Sequence, residues 1–327
     1  MIHKTPSVIF FGTPVFAVTQ LAAIHQQGFD IRAVVTALDK PAGRGNKMQS
    51  SAVKEYAIRH NLRLLQPEKL KDEGFIHDLA ALAADLFVVV AFRMLPVEIW
   101  KMPPLGTFNL HASLLPQYRG AAPINRAIMN GESVSGLSTF FINENIDTGE
   151  IILQEPMPIG KDETAGELHD RMMLAGGGLI IQTIRLIADG KPGTMVQDKM
   201  KDTGLLKSAP KIFRSDCQIN WNLPASTIHN QIRGLSPSPG AYTMIQSTTG
   251  KRIDLKILKS ALQEEILTDG LFQLQLDKKN ASGKIALKDG YLELLVVQPA
   301  GKKTMTASEF FRGLEYSTNW SVPIHEY

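Results

Sequence analysis

Ala84-Asp85-Leu86-Phe87-Val88-Val89-Val90-Ala91 is apolar at seven of its eight positions. A run of that length rich in β-branched residues, with no alternation, is the pattern of a central parallel strand buried on both faces. Upstream, Ser7–Phe11 is a second apolar run that stops at Gly12-Thr13-Pro14, and Ile31–Val35 is a third. Helical patterns lie between and after them: Phe16 with Leu21, Ala22 and Ile24, then Ser51–Asn61, Phe75–Ala83 and Ala122–Asn130. Strands alternating with helices predict an α/β architecture, a doubly wound and mostly parallel sheet. Ligands of such sheets lie beyond the carboxyl ends of the strands. Gly12, Ala91–Phe92 and Asn109 all fall at such ends. Gly12-Thr13-Pro14 lacks the Gly-x-Gly-x-x-Gly series that admits a pyrophosphate, so it does not read as a dinucleotide loop.

Further on, Thr164-x-x-Glu167 forms a capping box that opens a long helix, apolar at Leu168, Met172, Leu179, Ile180 and Ile187 and ending near Asp189-Gly190. Gln197–Pro210 is polar and reads as a connecting segment, which sets a domain boundary near Leu206. Beyond it the runs shorten: Cys217–Trp221, Ile228–Ile232, Ala241–Ile245, Asp254–Leu258, Leu271–Leu276, Lys284–Leu287 and Tyr291–Val297. Short alternating runs separated by Gly, Asp and Asn turns predict a small OB-like β-barrel, with Trp221 in its core.

Bulk composition narrows the class. The chain is 44% hydrophobic and 20% charged, ordinary for a soluble globular protein. No stretch approaches the ~18 unbroken apolar residues of a membrane span, and no signal peptide precedes the first strand. The single cysteine, Cys217, offers neither an internal disulfide nor a metal knuckle. A metal-free, monomeric, cytoplasmic protein is the expectation. The net charge is only +3; from Ser208 onward 14 Lys and Arg face 11 Asp and Glu, a faint basic skew.

The chemistry concentrates in Asn109-Leu-His111-Ala-Ser113-Leu-Leu-Pro116-Gln-Tyr118-Arg119-Gly120 and in Asp147-Thr148-Gly149. An imidazole titrates near neutrality and can take a proton from an amine. A side-chain amide can stabilise an oxygen that becomes anionic. A carboxylate can fix the imidazole tautomer and stabilise its protonated form. Positions i and i+2 of a strand share one side, so Asn109 and His111 would project into one cleft. Alone, His111 would read as a strand-end residue bonding a loop carbonyl; with Asn109 before it and Asp147 after it, it reads as catalytic. None of the three is a Ser or Cys nucleophile, which favours direct acyl transfer to an amine.

These motifs resemble the folate-dependent formyltransferases, over Val8 to about Phe311. Phe10-Phe-Gly-Thr-Pro14, Asp39-Lys-Pro-Ala-Gly-Arg-Gly45 and Arg233-Gly-Leu-Ser-Pro-Ser-Pro-Gly-Ala241 narrow the likeness to the family that formylates methionyl initiator tRNA. The resemblance implies 10-formyltetrahydrofolate as co-substrate, initiator methionyl-tRNA as partner and no metal. It also implies Asn109, His111 and Asp147 as catalytic residues. Folate contacts are implied at Phe87, Val89, Val90, Ala91 and Phe92 and at Ser113, Leu114, Leu115 and Pro116. Where the family usually has Ala-Tyr-Gly, this chain has Ala91-Phe92-Arg93, and Arg93 is a candidate partner for the folate's glutamate tail. The Gly-rich loop 39–54 implies a tRNA grip through Lys40, Arg44 and Lys47, with Arg233 a further tRNA contact. Residues 1–206 would form the formyl-donor and catalytic domain, and 207–327 the tRNA-binding barrel. The alternatives are formylation of an amino sugar nucleotide, hydrolysis of 10-formyltetrahydrofolate, and a tRNA-binding module without activity.

Overall fold

The structure is a computed structural model, and it describes residues 5–42, 47–200, 204–265, 267 and 269–323. The chain divides into two compact units. The first comprises Met1–Gly120, Ser135–Met157 and His169–Ser208; the second comprises Ala121–Val134, Pro158–Leu168 and Ala209–Tyr327.

The first unit is built on a seven-stranded sheet in the order Ile151–Pro158, Val134–Phe141, Thr107–His111, Leu86–Val90, Val8–Gly12, Ile31–Val35, Leu64–Leu65. The five strands from Thr107–His111 to Leu64–Leu65 run parallel, and Val134–Phe141 joins antiparallel to Thr107–His111. The chain starts mid-sheet at Val8–Gly12, runs to one edge, then returns through Leu86–Val90 to the other. That reversal is the topological switch where open α/β sheets take their ligands. All five residues of both Val8–Gly12 and Leu86–Val90 are buried, as their unbroken apolar sequence requires.

Two helices of this unit start at side-chain caps. Ser51 Oγ accepts from Lys54 N–H at 3.0 Å before helix Ala52–Arg59, and Asp72 Oδ1 accepts from Phe75 N–H at 2.9 Å before helix Glu73–Ala81. The helix Ala165–Ala188 is long and apolar enough by composition to cross a membrane. Its Gly176 and Gly177 lie against Gln20 and Ala23, where added β-carbons would fall 2.5 Å from Gln20 Nε2 and 3.0 Å from Ala23 Cβ. Gln20 Nε2 donates to Met173 O at 3.0 Å, and the Thr139 and Thr183 hydroxyls pair at 2.8 Å. This is a core helix packed through small residues.

The stretch 39–54, expected as a Gly-rich loop, has a paired stem. Lys40–Ala42 pairs antiparallel with Lys47–Gln49, and the Asp39 carboxylate anchors it through Lys54 Nζ at 2.7 Å and Gln66 Nε2 at 3.3 Å. Lys54, beside it, holds that carboxyl below the ordinary range.

The second unit holds a closed antiparallel barrel of six strands. Arg252–Glu264, Ala241–Ser247, Trp320–Ser321, Gln273–Asp277, Ser282–Leu287 and Gly290–Pro299 follow in order, and the last pairs back onto the first. Trp221 is buried in its core and donates from Nε1 to Thr243 Oγ1 at 2.9 Å. Two expected barrel runs are corrected: Ile228–Ile232 belongs to helix Ala225–Leu235, and Cys217–Trp221 forms no strand, only the end of the 3₁₀ turn Ser215–Cys217 and a single bridge from Gln218 to Tyr242. Ala225, Ile228, Ile232 and Leu235 are fully buried, and their spacing of three and four residues is helical. Helix Pro123–Met129 packs on that helix at Gly234, whose absent β-carbon would sit 2.6 Å from Met129 Cγ, while Asn125 Nδ2 donates to Gly234 O at 2.7 Å. These contacts explain why 121–134 groups with residues beyond 206.

Candidate active site

The strand Thr107–His111 delivers the first two groups. In register, Asn109 faces Val89 on one side and Phe140 on the other. The Oδ1 of Asn109 is buried and has no hydrogen-bond partner. A buried amide left open in this way costs free energy unless a ligand completes it. His111, 7% exposed, makes two contacts of different kinds: Nε2 lies 2.9 Å from the carbonyl oxygen of Tyr118, and Nδ1 lies 3.8 Å from Asp147 Oδ2.

A carbonyl can only accept, so Nε2 carries the proton in the neutral ring and the free lone pair sits on Nδ1. This corrects the expectation that Asp147 fixes the tautomer. Tyr118 does so, from a backbone in the left-handed region (φ 61°) that turns its carbonyl onto the imidazole. One nitrogen of His111 ties down the loop, and the other keeps its lone pair beside Asp147.

Asp147 is delivered by the turn after Val134–Phe141. It too is left-handed, at φ 54°, a region that Asp tolerates better than most residues. Asn143 Oδ1 braces the turn by accepting from Asn145 N–H and Thr148 Oγ1, and Asp147 Oδ2 accepts from Gly120 N–H at 2.9 Å. Gly149 is required by space: a β-carbon there would overlap the Phe141 carbonyl oxygen at 1.6 Å.

The remaining sequence-predicted contacts separate into groups. Phe87, Val89 and Val90 are interior, with side chains buried and backbone paired to strands on both sides; the apolar core covers these side chains and leaves no room at them for a ligand. Ala91 and Phe92 stand at the strand end, where the chain leaves the sheet. Ser113 is fully buried and donates from Oγ to Gln117 O at 2.6 Å, which removes it as a nucleophile. Ser138 Oγ donates to Ser113 O and accepts from Leu115 N–H, and Gln154 Nε2 donates to Leu115 O at 2.9 Å. Those bonds hold the 113–116 turn in shape, with Leu115 and Pro116 buried and Leu114 half-buried. Arg93 is exposed and donates to the carbonyls of Pro67 and Glu68 at 2.5 and 3.0 Å, so its guanidinium is already engaged.

Of the cations, Lys40 is exposed on the hairpin stem. Arg44 and the Lys47 side chain lie outside the described residues. Arg233 is corrected: it is 6% exposed, donates to Asn230 Oδ1 at 2.8 Å and Glu163 O at 3.1 Å, and burial lowers its pKa. It braces the second unit from within and presents no charge to a phosphate.

Comparison with known proteins places this geometry. The formyl transferase family model matches residues 6–184, and that of the formyl transferase C-terminal domain matches 211–315. A methionyl-tRNA formyltransferase of Flavobacterium johnsoniae is 48% identical over 315 residues, covering 96% of this chain and 98% of the relative. One of Parabacteroides distasonis is 46% identical over 317 residues, with the same coverage. The chain belongs to the methionyl-tRNA formyltransferase family. Among solved structures, the N-formyltransferase from Helicobacter canadensis, in complex with folinic acid and dTDP-3-aminofucose, has a TM-score of 0.60 at 24% identity, covering 88% of this chain and 97% of that one. That likeness carries the fold alone. Within this methionyl-tRNA formyltransferase family member, sequence reasoning passed over two residues that hold the site: Tyr118, quoted in the motif without a role, and Gln197, read as part of a connector.

Proposed function

We propose that this protein transfers the formyl group of 10-formyltetrahydrofolate to the amine of methionyl initiator tRNA, as the names of its relatives suggest for them. The observation that carries the chemistry is the arrangement of His111: Nε2 tied to the Tyr118 carbonyl, Nδ1 free beside the Asp147 carboxylate, and the open amide of Asn109 two residues away on the same strand side.

The residues fit a folate formyl donor. The donor supplies an acyl carbon whose carbonyl oxygen gains negative charge when an amine attacks. Amide nitrogen and oxygen are interchangeable by rotation, so Asn109 can turn an N–H toward that oxygen. His111 Nδ1 takes the proton the amine must lose, and the nearby Asp147 carboxylate stabilises the ring once it is charged; the bond from the formyl carbon to the folate nitrogen then breaks, and that nitrogen leaves with the proton as tetrahydrofolate. Ala91, Phe92 and the 113–116 turn are the surfaces assigned to the folate. Lys40, with Arg44 and Lys47 of the same Gly-rich stretch of sequence, is assigned to tRNA phosphates. The reading places the protein in the cytoplasm, where charged tRNA is made and used.

The test is direct. Incubation with 10-formyltetrahydrofolate and methionyl initiator tRNA should yield formylmethionyl-tRNA, while parallel reactions with a UDP-amino sugar or with water as sole acceptor should not turn over. Formylation of the amino sugar, or donor hydrolysis at a comparable rate, would overturn the assignment.

A further inference from the structure

Gln197 sits fifty residues beyond Asp147 in the chain, in a stretch with no sequence signal of chemistry. The backbone brings it back to the site: Ile151 and Met195 exchange two N–H···O bonds of 2.9 Å, which lays 195–197 along the sheet edge beside the Asp147 turn. There Gln197 is 3% exposed, and its amide is fully used. Nε2 donates to Asp147 O at 2.9 Å and to Gly149 O at 2.7 Å, while Oε1 accepts from Arg119 Nε at 2.9 Å and Arg119 Nη2 at 2.7 Å. Two donors and two acceptor sites are the whole capacity of a side-chain amide. Because a guanidinium can only donate, Arg119 also fixes which end of the amide faces the turn.

The arrangement is specific to the turn that carries the carboxylate. Asp147 holds a left-handed backbone, a conformation unfavourable for a non-glycine residue unless surrounding contacts over-determine it. Gln197 grips the carbonyl of that residue and that of the second residue after it. The neighbouring Gly120 N–H, directly after Arg119, holds the carboxylate itself at Oδ2.

We propose that Gln197 is a positioning residue for Asp147: its two N–H groups lock the 147–149 carbonyls, with Arg119 as the bracket, so that the carboxylate stays at its place beside His111 Nδ1. The proposal rests on the reading of Asp147 as the charge partner of His111 and adds a residue to it. Gln197 touches no reacting atom; its effect passes through Asp147.

The experiment uses the full chain and four variants: Gln197→Ala, Gln197→Glu, Asp147→Asn, and Gln197→Ala with Asp147→Asn. Gln197→Glu keeps the size and the acceptor for Arg119 but loses both donors, so it isolates the grip on the turn should Gln197→Ala fail to fold. Small displacements of a catalytic group cost up to ~10²-fold. Turnover should therefore fall about 10- to 100-fold in both Gln197 variants, with the Michaelis constants for tRNA and folate within about twofold of wild type. In the Asp147→Asn background, Gln197→Ala should cost less than about twofold more, because two residues acting through one interaction are not additive. Wild-type turnover in Gln197→Glu, or a full multiplicative loss in the double variant, would overturn the proposal while leaving Asp147 in place. Wild-type turnover in Asp147→Asn alone would instead remove the reading beneath it.

Discussion

Asp147→Asn separates charge from shape at the site. Asn is the same size, and its side-chain oxygen can still accept the Gly120 N–H that Asp147 Oδ2 takes at 2.9 Å. What disappears is the negative charge 3.8 Å from His111 Nδ1. Two unit charges at that distance attract by about 1 kcal/mol under bulk-water screening and about 4 kcal/mol at an effective dielectric of ~20. With His111 at 7% and Asp147 at 14% side-chain exposure, the screening lies nearer the second figure. Each 1.4 kcal/mol is about a factor of ten in rate, so the step that charges His111 should slow by between ~5-fold and ~10³-fold. The assay is single-turnover formylation at saturating 10-formyltetrahydrofolate and methionyl-tRNA. The Michaelis constant for tRNA should hold, since no acceptor contact has changed. A fall in turnover below about threefold, or an unchanged turnover with a raised Michaelis constant, would refute the electrostatic argument.

Gly149→Ala forces a methyl group into the Phe141 carbonyl and should cost ~3 kcal/mol by overpacking, lowering the melting midpoint by roughly 6–12 °C; an unshifted melt would show that the turn gives way freely. The Glu167 carboxyl is held below its ordinary value of 4.5 mainly by the Thr164 N–H, so its contribution to stability is present above that value and is lost as pH falls through the lowered one. Glu167→Gln should therefore be less stable than wild type at neutral pH, and urea titrations should show the gap closing in acid; a constant gap would exclude the linkage. Arg233→Met strips the donors from Asn230 Oδ1 and Glu163 O, and denaturant unfolding should register a loss of about 2 kcal/mol with the Michaelis constant for tRNA unchanged. A selective loss of tRNA use without loss of stability would restore Arg233 as a nucleic-acid contact.

Much of this was readable from residue order because the signals were local. The strand pair at Val8–Gly12 and Leu86–Val90, the capping box at Thr164 and Glu167, and the projection of Asn109 and His111 from one strand end each depend on neighbours a few positions apart. Ile228–Ile232 was read at the wrong period because its apolar spacing also suits a short barrel run; the buried Ala225 and Leu235 extend the pattern to a helical one. Phe87 and Val89 were assigned to a ligand because family contacts were carried over to the strand as a whole. A central strand, with both edges bonded and both faces covered, leaves only its end free. Arg233 and Arg93 carry charges that sequence alone assigns to a charged partner, and only the fold shows backbone carbonyls answering them. Gln197 carries no such cue, since its partners are two main-chain carbonyls some fifty positions away and the Arg119 guanidinium farther still, and polar composition there says only connector.

The packing of helix Pro123–Met129 against Gly234 has a practical meaning for dissecting the protein. A cut near residue 206 would give a C-terminal fragment without 121–134 and 158–168, both of which belong to its compact unit. Met129 would no longer cover the apolar cluster it packs against, Asp216 would lose its ion pair with Arg126, and the Gly234 carbonyl would lose the Asn125 amide. The barrel is therefore not a detachable cassette. Grafting it onto another catalytic domain requires carrying the two internal segments along, and those segments are threaded through the very chain that builds the sheet.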